Sequence, residues 1–247
     1  MMNIKNGLFL ILIVLFALSC NRDDDQPGDV NIRFHLVYGD QPLEMFKNLA
    51  YPANGEEFYF SRISFYLSDV TLKNGATSNT IKDIDYLNLT SAFTDSSVGY
   101  DYKISNVPPG KYSKLEFGIG VPAALNAKQP SDFDPGNILS FNTEYWSSWQ
   151  SYIFFKAEGT IQLNTPDGNN TDFALHLGAD EALRTISLDK AVDVKSGQTA
   201  VVDVTIDMKK FFDGKQLYDI YDTQKIHSLH QLPLIKILMD NLAVSFK

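Results

Sequence analysis

Four histidines, His35, His176, His227 and His230, are the whole imidazole content of this 247-residue chain. Imidazole is the commonest metal-ligating side chain, so these positions mark where a metal ion could be held. His227 and His230 are three apart, close enough to share one face of a helical turn. His35 sits between Phe34 and Leu36, and His176 between Leu175 and Leu177, just before Gly178. A lone strand histidine is more often a surface or satisfied core residue than a ligand. Metal sites need three or four ligands converging in space, and spacing alone leaves both readings open.

The second concentration is Tyr145-Trp146-Ser147-Ser148-Trp149-Gln150-Ser151-Tyr152, which holds both tryptophans of the chain. Indoles are large and mostly buried, so Trp146 and Trp149 fit as core anchors of the strand that follows. An exposed Trp/Tyr loop would instead suit recognition of a protein or glycan.

The third residue with chemistry is Cys20, the only cysteine. It follows an apolar run from Leu8 to Leu18 and precedes Asn21-Arg22-Asp23-Asp24-Asp25. A lysine-bearing start, an apolar stretch and a small residue before the cut make residues 1–19 a secretory signal. Cys20 stands where a bacterial lipoprotein is cleaved and acylated. The apolar run is about half the roughly 20 residues that span a bilayer, so it does not suit a transmembrane anchor. Residues 20–29 read as an acidic tether, and Asp23-Asp24-Asp25 resembles the tag of surface-exported Bacteroidetes-type lipoproteins. The expected location is the outer membrane, on its periplasmic or cell-surface side, with the acyl chains as anchor.

Positioning these residues falls to strands. Val30 to Tyr38 alternates with period two and reads as a half-buried strand. Phe58 to Lys73 is a longer β-rich stretch, Asp83 to Leu89 a short strand, Tyr100 to Ile104 leads into a turn, and Tyr112 to Val121 follows as a strand carrying Leu115, Phe117 and Ile119. In the second, Ile63, Phe65, Leu67 and Asp69 would share one face, and Ser64, Tyr66, Ser68 and Val70 the other. Asn74-Gly75 offers a hairpin turn, and Pro108-Pro109-Gly110 a turn before the next strand. Pro122 to Asn142 is a long polar connection of the kind that is functional or disordered. Tyr152 to Leu163, a turn over Asn164 to Asp172, Phe173 to Leu177, Arg184 to Leu188 and Ala200 to Met208 continue the pattern. Lys209 to Asp213 and Leu232 to Phe246 have helical spacing, with Leu234, Ile235, Leu238 and Leu242 as the apolar stripe. The expectation is all-β: one antiparallel β-sandwich domain over residues 30–247, with a long Trp-bearing loop and a short helical C-terminal segment.

Composition narrows the function. A net charge of −9 argues against nucleic acid, which needs a basic face. The chain has no Gly-rich phosphate loop, no Cys-x-x-Cys and no Gly-x-Ser-x-Gly elbow. No nucleophile or acid–base constellation is legible, so no enzyme is expected.

Four motifs occur in order: Phe65-Tyr66-Leu67-Ser68-Asp69-Val70-Thr71-Leu72, then Phe117-Gly118-Ile119-Gly120-Val121-Pro122 with Leu125-Asn126, then Trp149 through Gly159, and lastly His176-Leu177-Gly178. Together they resemble the MbnP-like family, copper-associated periplasmic or surface proteins found beside methanobactin operons and, more widely, as lipoproteins. The resemblance implies a β-sandwich that binds copper near a tryptophan oxidised to kynurenine by a partner dihaem peroxidase-like enzyme. It makes Trp146 or Trp149 the modified residue and His176 a copper ligand, in keeping with copper's place at the top of the divalent affinity order. Methanobactin-linked members have a histidine where Ala127 stands, their tryptophans are two apart, and a Gly precedes the Tyr where Ser151 stands. His35, His227 or His230 must therefore complete the ligand set, and His227 is preferred because a C-terminal His-x-x-His resembles the lipoprotein branch. The implied function is acquisition or handling of copper, with an outer-membrane transporter as a further partner. The alternative is a surface β-sandwich module that binds a protein or glycan.

Overall fold

The computed structural model describes residues 26–94, 99–162 and 169–247. The signal segment, Cys20 and Asp23-Asp24-Asp25 lie outside these residues, as does the part of the expected turn from Asn164 to Gly168.

The chain builds the expected all-β sandwich from two main sheets. The smaller has Gly28–Tyr38 at its centre, with Thr199–Asp207 on one side and both Tyr100–Val107 and Gln41–Pro42 as further partners. The larger runs Arg184–Leu188, Lys114–Ile119, Glu57–Asn74, Ser151–Gln162, Asn170–Gly178 and Lys225–Ile226. Thr77–Asn88 returns along Glu57–Asn74 from a turn at Gly75, where φ of +57° suits glycine. Most pairs are antiparallel. Two are parallel: Gly28–Tyr38 with Thr199–Asp207, and Asn170–Gly178 with Lys225–Ile226. These strands are far apart in sequence, so no hairpin dictates their direction.

Glu57–Asn74 is long enough to serve two neighbours on one edge, Ser151–Gln162 over its first half and Lys114–Ile119 over its second. The change of neighbour coincides with a bulge. The register shifts between Ser68 and Thr71, and Asp69 has φ of +49°. Strict alternation therefore breaks there: Leu67, Ser68, Val70, Thr71 and Leu72 are all buried and Asp69 is exposed. A bulge inserts one residue and bends the strand, which curls the larger sheet around the core.

The two sheets meet through aromatic side chains. Phe34 of the smaller sheet lies 6.1 Å from Phe65 and 6.4 Å from Phe117 of the larger, both edge to face. The short helix Met208–Phe212 follows directly on Thr199–Asp207 and carries Phe211 and Phe212 into the core. There Phe212 stacks on Phe60 at 5.7 Å and Phe211 approaches Phe155 at 5.3 Å. The C-terminal helix is Leu232–Ala243, with proline in its first turn. It buries Ile235, Leu238, Met239 and Leu242, with Leu234 only partly covered. It stops short of Phe246: residues 245–247 turn extended and bond to Thr205 and Asp207, adding an edge to the smaller sheet. Among the described residues, no helix is long and apolar enough to cross a membrane.

Candidate metal centre

Strand pairing sets the floor of the site. Lys156 faces Ser64 on one neighbouring strand and His176 on the other, and Glu158 faces Arg62. Side chains two residues apart share a face, so Arg62, Ser64, Lys156, Glu158 and His176 lie together on the outer face of the larger sheet. Ile63, Phe65, Phe155, Ala157, Leu175 and Leu177 take the inner face and are fully buried.

The long polar connection is ordered and folds over that outer face. It contains the single helical turn Ala123–Asn126 and 3-10 turns at Pro130–Asp132, Ile138–Ser140 and Asn142–Glu144. Asn126, buried, ties its start to the sheet. Its Oδ1 accepts from the Tyr152 amide at 2.8 Å, and its Nδ2 donates to Asp180 at 2.8 Å. The Ala179 amide donates to Ser151 Oγ at 2.9 Å, so three segments are joined at this point. Glu144 ties down the far end. Its carboxylate, 5 % exposed, lies 2.7 Å from Lys156 Nζ and 3.1 Å from Arg62 Nη2. Arg62 also donates to Tyr86 Oη and Ser64 Oγ.

Both tryptophans stand on a tight hairpin. Trp146 pairs with Ser151 and Tyr145 with Tyr152, and the reversal between them needs φ of +52° at Gln150. The turn brings the indoles edge to face, with centroids 4.3 Å apart. Trp149 is buried, at 8 % exposure, so at most one of the two indoles meets solvent. Trp149 Nε1 donates to the carbonyl of His227 at 3.2 Å.

His227 arrives from the other end of the chain. Lys225 and Ile226 pair in parallel with Ala174 and Leu175, and the next residue in register is His227 beside His176. Their ring centroids are 5.0 Å apart. Trp146 closes the group, 5.5 Å from His176 and 5.1 Å from His227. His176 is largely covered and His227 is exposed, so the pair has a floor and a rim.

Electrostatics divides the two imidazoles. His176 Nε2 lies 2.7 Å from Glu158 Oε1, while its Nδ1 is buried without a hydrogen-bond partner among the described residues. That hydrogen bond is the main cause that holds the Glu158 carboxyl below its ordinary range, with Arg62 and Lys156 adding to it against the cost of burial. The pKa of His227 is lowered, first by partial burial and then by His176 and Lys225, with Glu158 acting the other way. The neutral imidazole, which is the ligand form, is thereby favoured at the rim.

The structure brings His176, His227, Trp146 and Trp149 together and leaves two histidines elsewhere. His35 lies in the smaller sheet, with Nε2 2.8 Å from Asp203. His230 sits exposed in the turn Leu229–Gln231, its backbone amide donating to Ser228 Oγ. Among the described residues, no group of three or more His, Cys, Asp or Glu side chains is arranged to hold a metal ion. Two imidazoles are what the site offers.

A family model described as MbnP matches residues 27–230. The chain belongs to the MbnP family. Among solved structures, MbnP from Methylosinus trichosporium superposes with a TM-score of 0.53 at 15 % identity, over 78 % of this chain and 80 % of that one. At that identity the likeness concerns the fold alone. No curated protein sequence matches the chain. Within this MbnP-family domain, Arg62, Asn126, Glu144, Lys156 and Glu158 were not read from the sequence as site residues. Glu158 lies in the motif that ends at Gly159, but its meeting with Arg62 and His176 depends on strand register. Asn126 lies in the motif after Pro122, with nothing local to show what it binds.

Proposed function

We propose that this MbnP-family protein binds copper at His176 and His227, outside the cytoplasm, and serves in acquisition or handling of the metal with no catalysis of its own. The observation that carries this reading is the pair of imidazoles 5.0 Å apart beside a tryptophan. The residues fit such an ion. His176 has a buried ring nitrogen without a partner, and His227 is held toward its neutral form. Imidazole suits copper, and a pair of ligands suits the cuprous state, which accepts low coordination numbers. Bound copper would be the cargo at this centre, with Trp146 covering one side.

The family's kynurenine is assigned to Trp146 on this reading. Trp146 adjoins both imidazoles, whereas Trp149 is buried and its indole N–H holds the His227 carbonyl. On this reading the partner dihaem peroxidase-like enzyme supplies the oxidant that cleaves the indole C2–C3 bond and inserts two oxygens to give N-formylkynurenine. Water then releases the formyl carbon as formate, a net gain of one oxygen and loss of one carbon. The acylated Cys20 tethers the protein to the outer membrane, where a transporter is the further partner.

The test is Cu(I) titration of the purified protein and of single alanine variants. His176→Ala and His227→Ala should each abolish tight binding, and His35→Ala and His230→Ala should leave it unchanged. Binding that survives both of the first two substitutions would refute the site. Peptide mass mapping of protein from its native host should place the added oxygen and lost carbon on Trp146.

A further inference from the structure

We propose that Glu158 is the positioning residue of this centre: it holds His176 in the Nε2–H tautomer and so presents Nδ1 as the ligand atom. The inference rests on the copper reading above and adds which atom binds and what prepares it. An ionised carboxylate only accepts hydrogen bonds. Glu158 Oε1 lies 2.7 Å from His176 Nε2, so the ring proton belongs on Nε2 and the lone pair on Nδ1. Nδ1 is the one ring nitrogen of His176 left without a partner, and it is buried. The hydrogen bond made by one ring nitrogen decides which atom of a histidine takes a metal.

Glu158 itself faces a charge network across the strand pair. Arg62 stands directly across the strand pair from it. Arg62 in turn is fixed by Tyr86, Ser64 and the buried Glu144, and Glu144 by Lys156. The carboxylate therefore sits on a rigid strand in front of a charge network, as an outer-shell partner of a metal histidine requires. A surface carboxylate that only happened to meet a histidine would need none of this support.

The experiment is long-range 1H–15N NMR of the histidine rings in the metal-free protein, paired with competition titration using Cu(I) ions. The wild type should show His176 as the Nε2–H tautomer. Glu158→Ala should mix the tautomers and weaken Cu(I) binding about 10- to 100-fold. Glu158→Gln, which still offers an acceptor oxygen, should restore much of both. His227→Ala should lose Cu(I) while keeping the His176 tautomer, which separates positioning from ligation. An Nδ1–H tautomer in the wild type would overturn the proposal, as would Glu158→Ala with tautomer and affinity both unchanged. A wild type that keeps the Nε2–H tautomer but binds no Cu(I) would sink the copper reading while upholding Glu158's hold on the ring.

Discussion

Asp69 shows how a single residue can carry strain outside the site. It holds φ of +49° at the bulge of Glu57–Asn74, a region that few residues other than Gly, Asn and Asp adopt. Partial desolvation of its carboxyl and the neighbouring Asp83 raise its pKa above the ordinary 3.8. A raised carboxyl pKa means that the folded state binds more protons, so ionisation of Asp69 opposes folding. The penalty is fully present above the raised value and fades as pH falls toward 3.8. Asp69→Asn keeps a side chain that tolerates this backbone and removes the charge. It should stabilise the protein at neutral pH by about half a kcal/mol or less. The gain should disappear in acid, as read from urea midpoints across the pH range. At the same scale, His35 and His176 look alike in sequence, each flanked by two apolar residues. Only His176 meets a second imidazole, because its strand happens to pair with the segment before His227.

At the scale of elements, the Trp-bearing connection and the strand beneath it form one unit. Glu144 is the link between them, and it is buried with two cations. Removing one partner of a buried ion pair leaves uncompensated charge and costs about 3–5 kcal/mol, so Glu144→Ala should destabilise by that much in denaturant unfolding. The exposed pair of Lys114 with Asp189 provides the contrast, and Lys114→Ala should cost under about 1 kcal/mol. Gly178 is the tight point between the strand that carries His176 and the start of Ser151–Gln162. A Cβ there would stand 2.5 Å from the Tyr152 carbonyl and 3.5 Å from the Trp149 ring. Gly178→Ala should therefore cost about 1–3 kcal/mol through overpacking and shift the tryptophan fluorescence. Strand periodicity anticipated the main strands, but residues 170–172, expected in a turn, belong to Asn170–Gly178, and the short strands Tyr145–Trp146 and Lys225–Ile226 were not anticipated. It did not anticipate the bulge at Asp69, because an inserted residue is visible only against the partner strand. Helical spacing overran the end of the last helix in a similar way: Phe246 continues the apolar stripe but is claimed by the edge of a sheet.

For the whole molecule, the proposal to be tested is that this acidic sandwich domain is held at a membrane through acylated Cys20. If so, Cys20→Ala should move the protein from the membrane pellet to the soluble extracytoplasmic fraction, since acyl chains on Cys20 would supply the membrane affinity. Retention in the pellet would point to another anchor. The distribution of information in this chain follows the range of the forces involved. Local alternation, turn residues and the apolar run before Cys20 depend on neighbours in sequence, so the all-β class, most strand positions and the expectation of export were legible from residues alone. The four ordered motifs were enough to suggest the family. The site was legible only as a set of residue types: His176, His227, Trp146 and Trp149 stood among candidates that included His35 and His230. Choosing between them needed the tertiary structure, because the parallel pairing of residues 225–226 with 174–175 joins parts of the chain that no local pattern relates. The same holds for Glu158, Arg62, Glu144 and Lys156, charged residues of ordinary appearance in sequence, which become one network only when strand register sets them on a single face.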